Sequence, residues 1–253
     1  MSGKFFWYEL LTGDPEAARK FYGDVVGWQI QESGTEGYLL FTVAEGRGVA
    51  GLMALPEPVR EAGAPPHWMG YVAVDNVDDA VEEIEEEDGE IHREPFEIPG
   101  VIRLAVVADP QGAAFVVAKG LMEPPPNELP QGTPGTVGWR ELYTGNVEEA
   151  FEFYESLFGW AKTEAMDMGP DGVYQMFGTG GPTVGGMMRK PEQMPRTAWL
   201  YYFNVPELDA AIEKLKAGGG QTIIGPMEVP GGSWIVQAID PQGAHFALVA
   251  PKR

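Results

Sequence analysis

Two glutamates stand in the same short context, Trp7-Tyr8-Glu9-Leu10 and Trp139-Arg140-Glu141-Leu142. A carboxylate in an aromatic, strand-prone setting can accept a proton, bind a substrate hydroxyl or ligate a metal. The other side chains able to do such chemistry are few. Three histidines occur, His67, His92 and His245, and there is no cysteine, which excludes disulfides, thiolate metal sites and a cysteine nucleophile. His245 lies two residues before Ala247 and so shares its strand face. With Glu141 it is a candidate for a depleted two-ligand metal site or an acid/base pair, and Glu9, Glu141 and His245 form the candidate catalytic set. His67 precedes Trp68, and His92 reads as a surface residue. The aromatic residues expected to contact a ligand are Trp7, Trp139, Tyr38, Tyr174, Trp68 and Trp199. No Walker loop, dinucleotide fingerprint, H-E-x-x-H or G-x-S-x-G motif is present. The Gly-rich run Gly178 to Gly186 lacks the Lys-Ser or Lys-Thr of a phosphate loop and reads as a hairpin.

The elements that must position these residues are written twice. The stretch Phe5 to Trp28 recurs as Val137 to Trp160 without gaps, sharing the tryptophan, the glutamate, Thr12-Gly13 with Thr144-Gly145, Phe21-Tyr22 with Phe153-Tyr154, and Gly27-Trp28 with Gly159-Trp160. Residues 5 to 11 are strand-prone, with Trp7 and Glu9 on one face. Asp14-Pro15 caps a helix whose Ala17, Ala18, Phe21, Tyr22 and Val25 face a core until Gly27 stops it, and Asn146 to Gly159 repeats the pattern. Three strands follow, near Gln29 to Glu32, Gly37 to Val43 and Val49 to Leu55. Their counterparts include Val173 to Phe177 and Val184 to Met188, and Val-x-Gly-x-Met at Val49 to Met53 recurs at Val184 to Met188.

The same order then appears again as strand Trp68 to Val74, helix Val77 to Glu87 and strands Ile91 to Glu97, Ile102 to Val107 and Ala113 to Ala118. It is repeated at an offset of 131 residues, as from Trp68 to Trp199. The acidic run from Glu82 to Asp88 is the solvated face of that helix. Each half is therefore expected to hold two βαβββ modules, giving an α+β fold with four modules. The expected domains are 1–120 and 137–253, joined by the Pro-rich linker Leu121 to Thr136 with its five prolines.

At 253 residues, each half is long enough to bury a core. The balance of 17 basic against 38 acidic residues, a net charge of -21, argues against nucleic acid or an anionic membrane as partner. No apolar run approaches the roughly 20 residues of a membrane helix, and the start of the chain lacks a signal-peptide pattern. The expected location is cytoplasmic, and the expected partner is a small-molecule ligand.

Paired βαβββ modules that open with W-x-E-L and D-P-x-x-A-x-x-F-Y-x-x-x-x-G-W and close with D-P-x-G-A-x-F resemble the vicinal oxygen chelate superfamily. That group holds glyoxalase I, extradiol dioxygenases, and bleomycin and fosfomycin resistance proteins. The resemblance covers nearly the whole chain outside the linker and implies a curved eight-stranded sheet per module pair, cupping a cavity. It also implies one divalent metal held by side chains of the first and last strands of the modules. Carried over position by position, Glu9 and Glu141 match the opening-strand ligand. The closing-strand glutamate falls on Val116 and Ala247, the middle-strand histidine at or near Met69 and Leu200, and the fourth-strand position near the thioethers Met53 and Met188. The ligand set for a divalent metal is thus incomplete: the expectation is no cofactor, with a divalent metal as the alternative left open. The leading expectation is a glyoxalase-like protein that binds or transforms a small oxygenated molecule in an aromatic-lined cavity without the usual metal site; as an enzyme it would be a lyase or isomerase before an extradiol-type dioxygenase. The alternatives are a metal-free protein that sequesters a drug or metabolite, and an interaction or stress protein with vestigial cavities. Because the family builds cavities between modules of paired chains, the resemblance leaves open a monomer or a homodimer.

Overall fold

The computed structural model describes residues 3–43, 46–123 and 129–253. Its elements follow the fourfold βαβββ plan. The first module runs β1 (Phe5–Thr12), α1 (Pro15–Val26), β2 (Gln29–Glu32), β3 (Tyr38–Thr42) and β4 (Gly48–Ala54), followed by a short helix, α2 (Glu57–Glu61), that the sequence pattern did not announce. The second is β5 (His67–Ala73), α3 (Val77–Glu86), β6 (Glu90–Ile98), β7 (Ile102–Ala108) and β8 (Ala114–Gly120). The third is β9 (Val137–Thr144), α4 (Val147–Phe158), β10 (Ala161–Asp167), β11 (Val173–Gly178) and β12 (Thr183–Arg189). The fourth is β13 (Ala198–Asn204), α5 (Leu208–Ala217), β14 (Gln221–Glu228), β15 (Trp234–Ile239) and β16 (His245–Ala250).

Strand order is β2-β3-β4-β1-β5-β8-β7-β6 in one eight-stranded sheet and β10-β11-β12-β9-β13-β16-β15-β14 in the other. In every module the last strand returns parallel to the first, and the hairpins between consecutive strands are antiparallel. The parallel return places Gly51 beside Glu9 and Gly186 beside Glu141.

The helices form where their caps dictate. Asp14 accepts the amide of Ala17, Pro15 opens α1, and Gly27 closes it in the left-handed region at φ 87°. Asn146 accepts the amides of Glu148 and Glu149 to start α4. The apolar stripes are buried against the sheets: Ala18, Phe21, Tyr22 and Val25 on α1, and Ala150, Phe153 and Tyr154 on α4.

The chain packs as two compact units, and each draws on both sequence halves: 1–6, 69–128 and 140–199 in one, and 7–68, 129–139 and 200–253 in the other. A buried polar chain explains the association inside each unit. In the second unit, the Trp68 indole donates to the Tyr22 hydroxyl at 3.0 Å, and that hydroxyl donates to Asp240 at 3.1 Å. Asp240 also accepts the amides of Gln242 and Ala244 in its own turn. In the first unit the same chain runs from Trp199 to Tyr154 at 3.1 Å and on to Asp109 at 3.0 Å. A helix tyrosine of one half is thus bonded to the turn aspartate of the other half. The rings complete the cores: Trp28 stacks on Phe41 at 4.5 Å, and Trp160 lies between Tyr154 at 4.8 Å and Phe177 at 4.5 Å.

The end of the expected linker is tied down. Gly135 accepts the Trp28 indole N–H at 2.8 Å, and Asn204 donates its amide to Thr136 at 2.8 Å. Residues 124–128 of that linker lie outside the described residues. Among the described residues no helix is long and apolar enough to cross a membrane.

Candidate functional site

Glu9 and Glu141 are both buried, at 7% and 5% exposure, on strands in the middle of their eight-stranded sheets. Burying a carboxylate is costly unless donors surround it, so its partners define the site. For Glu141 the partner is Tyr174, whose hydroxyl donates to Oε1 at 2.9 Å. For Glu9 it is Tyr38: the hydroxyl is hydrogen-bonded to Glu9 and accepts the Trp7 indole N–H at 3.0 Å. Burial pushes the Tyr38 phenol far above the ordinary tyrosine range, and the negative charge of Glu9 pushes it further. Tyr38 therefore stays a protonated donor at any physiological pH.

Glycine makes this reach feasible. Tyr38 is in register with Met53, two residues along β4 from Gly51, which lies between Leu40 on β3 and Glu9 on β1. The ring runs diagonally over Gly51 to the next strand. A Cβ on Gly51 would stand 1.9 Å from the Tyr38 hydroxyl oxygen. The second copy repeats the device, since a Cβ on Gly186 would fall 2.3 to 2.5 Å from atoms of the Tyr174 ring. The glycine of the Val-x-Gly-x-Met pattern is thus the space in which the tyrosine lies.

The middle- and closing-strand positions that would complete a metal site are apolar and buried, and Met53 and Met188 on the fourth strands are half-buried. Val116 pairs with Tyr71 on β5 and Val106 on β7. Ala247 pairs with Tyr202 and Gln237, and the Gln237 amide donates to the Tyr202 hydroxyl at 2.7 Å, spanning the strand that carries the alanine. Met69 and Leu200 are buried as well. Among the described residues no three His, Cys, Asp or Glu side chains gather as a metal site. The donors near each glutamate, a tyrosine hydroxyl and for Glu9 an indole N–H beyond it, suit an anion and not a divalent cation. The residues present do not fit the superfamily's metal.

The remaining expected site residues are dispersed. Trp7 is half-buried with its ring beside Gly48, and Trp139 is half-buried on β9. Trp68 and Trp199, expected among the ligand contacts, instead lie in the helix-side cores, bonded to Tyr22 and Tyr154 and ringed by aromatics. His245 is exposed at the start of β16, opposite Ile239, and belongs to a different compact unit from Glu141. Partial desolvation of the ring lowers the His245 pKa, and Asp240 partly offsets this. His67 Nδ1–H donates to the Pro65 carbonyl at 2.7 Å, which fixes Nδ1 as the protonated nitrogen of the neutral ring. Sequence reasoning did not single out Tyr38 and Tyr174 as the residues bonded to the glutamates. The signal for it was Gly51 and Gly186 recurring with a tyrosine on the preceding strand.

Residues 4–117 and 136–248 match the sequence model of the family described as the Glyoxalase/Bleomycin resistance protein/Dioxygenase superfamily. The chain is 33% identical over 251 residues to the Mycobacterium tuberculosis protein named "Putative glyoxylase CFP32", covering 97% of this chain and 94% of that protein. It is 31% identical over 258 residues to the anthracycline biosynthesis protein DnrV of Streptomyces peucetius, covering 96% and 91%. The crystal structure of a Mn(II)-bound glyoxalase from Novosphingobium aromaticivorans superposes with a TM-score of 0.67 at 16% identity, covering 99% of this chain and 82% of that one.

Proposed function

Since the chain belongs to the Glyoxalase/Bleomycin resistance protein/Dioxygenase superfamily, whose fold hosts several chemistries, we propose that it is a metal-independent member. In this reading it binds a small oxygenated molecule at Glu9 and Glu141, and the carboxylate accepts a proton or hydrogen bond from the ligand. The observation that carries it is the bonding of a tyrosine hydroxyl to each glutamate, with apolar residues at the other ligand positions. An ionised carboxylate offers about four lone-pair sites, so it can accept from more than one donor at once. The protonated tyrosine hydroxyl fixes the orientation of the carboxylate it donates to. The name of the Streptomyces peucetius relative supports a planar, polyoxygenated ligand, and that of the mycobacterial relative supports proton transfer next to a carbonyl.

The test uses Glu9→Gln, Glu141→Gln and the double variant, titrated with an anthracycline by fluorescence quenching and assayed with 1,2-dicarbonyl adducts. Glutamine keeps the shape and removes the charge. A charged hydrogen bond of about 1.5–3 kcal/mol corresponds to a loss of affinity of about 10- to 100-fold. Loss of a general base reduces turnover about 10²- to 10⁴-fold. Weakened binding without any turnover in the parent identifies a sequestering protein. Unchanged binding and turnover in the double variant would remove the glutamates from the function.

A further inference from the structure

We propose that β14 is the docking edge for a second copy of this chain, in an antiparallel, twofold contact about the midpoint of the strand. β14 stands last in its sheet and is bonded on one side, to β15. An open edge invites pairing, and proteins guard such edges by keeping them short or charged. β2 is four residues long, β6 carries Glu90, Arg93, Glu94 and Glu97, and β10 carries Lys162, Glu164 and Asp167. β14 has eight residues and a single charged side chain, Glu228. It exposes Ile223 at 49%, Ile224 at 38% and Met227 at 42%.

The fold does not require this edge to be apolar. At the offset of 131 residues, Gln221, Ile223, Ile224 and Gly225 stand where β6 has Glu90, His92, Arg93 and Glu94. The same element of the other half thus carries polar or charged side chains at all four places. The exposed isoleucines therefore serve something outside the folded chain.

Charge identifies the occupant. With a net charge of -21, two copies repel wherever their acidic surfaces meet, and a basic partner would gain more at those surfaces than at this edge. An edge with one charge is where another copy can approach with least repulsion, and symmetry deals with that one. In an antiparallel contact centred between Ile224 and Gly225, Gln221 of one copy faces Glu228 of the other, so an amide donor meets the carboxylate on both sides of the axis. The same arrangement of β6 would oppose Glu90 and Glu97, a like-charge pair. Pro226 has no N–H, and the register of β14 against β15 shifts twice, so the contact is carried by Ile223, Ile224 and Met227 and not by a continuous backbone ladder. A strand of this length spans about 27 Å, short for an interface, which places the affinity in the micromolar range.

Sedimentation equilibrium of the full chain, from micromolar to millimolar concentration and at low and high salt, is the test. A concentration-dependent dimer is expected, tighter at high salt because screening weakens the repulsion between two acidic chains. The double variant Ile223→His with Ile224→Arg, which copies β6, should weaken dimerisation about tenfold or more, although it makes the chain less negative. Gln221→Glu should weaken it several-fold, most at low salt. Adding Glu228→Gln to that variant should restore it, because the two residues face each other across the axis. Val101→Lys, at an exposed apolar residue of the first half, should leave dimerisation unchanged. Unchanged urea midpoints verify the fold of each variant. A monomer at every concentration and salt, an open series of larger oligomers, dimerisation of the double variant equal to that of the parent, or equal loss in Val101→Lys would overturn the assignment. Failure of Glu228→Gln to restore the Gln221→Glu variant would overturn the twofold register.

Discussion

Gly51→Ala is a one-methyl change with a large expected effect. The new Cβ would lie 1.9 Å from the Tyr38 hydroxyl oxygen and 2.5 Å from Cζ, where ordinary contact begins at 3.4 Å. The ring must therefore move by about 1.5 Å, the difference between 3.4 and 1.9 Å. A shift of that size breaks the 3.0 Å bond from Trp7 and draws the hydroxyl away from Glu9, which is only 7% exposed. Leaving a buried acceptor one donor short costs about 1–3 kcal/mol, and overpacking adds about 1–3 kcal/mol. A loss of ~3 kcal/mol lowers Tm by about 6–12 °C for a chain of this size. The assay is a double-mutant cycle in urea with Tyr38→Ala as the second change. Once the ring is gone the methyl has room, so Gly51→Ala should cost less than about 0.5 kcal/mol in that background, with a coupling of about 1–3 kcal/mol. Additive effects would refute the claim that glycine serves to admit the tyrosine. Gly186→Ala with Tyr174→Ala should behave alike.

Trp68→Phe should cost about 1–2 kcal/mol in urea by removing the indole bond to Tyr22, while leaving anthracycline affinity unchanged; weaker affinity would return Trp68 to the ligand contacts. Burial depresses the His67 pKa below its ordinary value of 6.5, so the unfolded chain binds the proton first. Its contribution to stability is full above pH 6.5 and is lost as pH falls through the folded pKa. His67→Gln should flatten the fall in stability between pH 7 and pH 5, and an unchanged pH slope would contradict this. Asp109 is shifted upward by burial, so it has the opposite sign: its contribution is full below the usual carboxylate pKa and is lost as pH rises through the folded value. Asp109→Asn should therefore gain on the parent as pH rises from 4 to 7, as read from urea midpoints.

Much of this architecture was legible because local physics decided it. Asp14 and Gly27 announced the ends of α1, and the alternation of β1 put Trp7 and Glu9 on one face; both Trp7 and Glu9 meet Tyr38 in the structure. The turn aspartates Asp109 and Asp240 were legible only as turn formers. Their second role, accepting Tyr154 and Tyr22, depends on partners in the other sequence half, which no local pattern encodes. Trp68 and Trp199 misled because a tryptophan beside a candidate cavity strand serves equally as core. Their burial against Tyr22 and Tyr154 follows from strand parity with Val72 and Phe203, which a stricter reading of the alternation could have used. The tyrosine–glutamate pairs needed the register of three strands at once, and register is what a single sequence states least clearly.

The central claim is that tyrosine hydroxyls engage the glutamates that a metal would otherwise use. It is tested most directly by elemental analysis of the untagged protein after incubation with manganese, nickel, zinc and ferrous iron and removal of excess ion. The account predicts metal well below one per chain for every ion, unchanged by Glu9→Gln and Glu141→Gln. Retention near one metal per chain or per half, abolished by those substitutions, would contradict it.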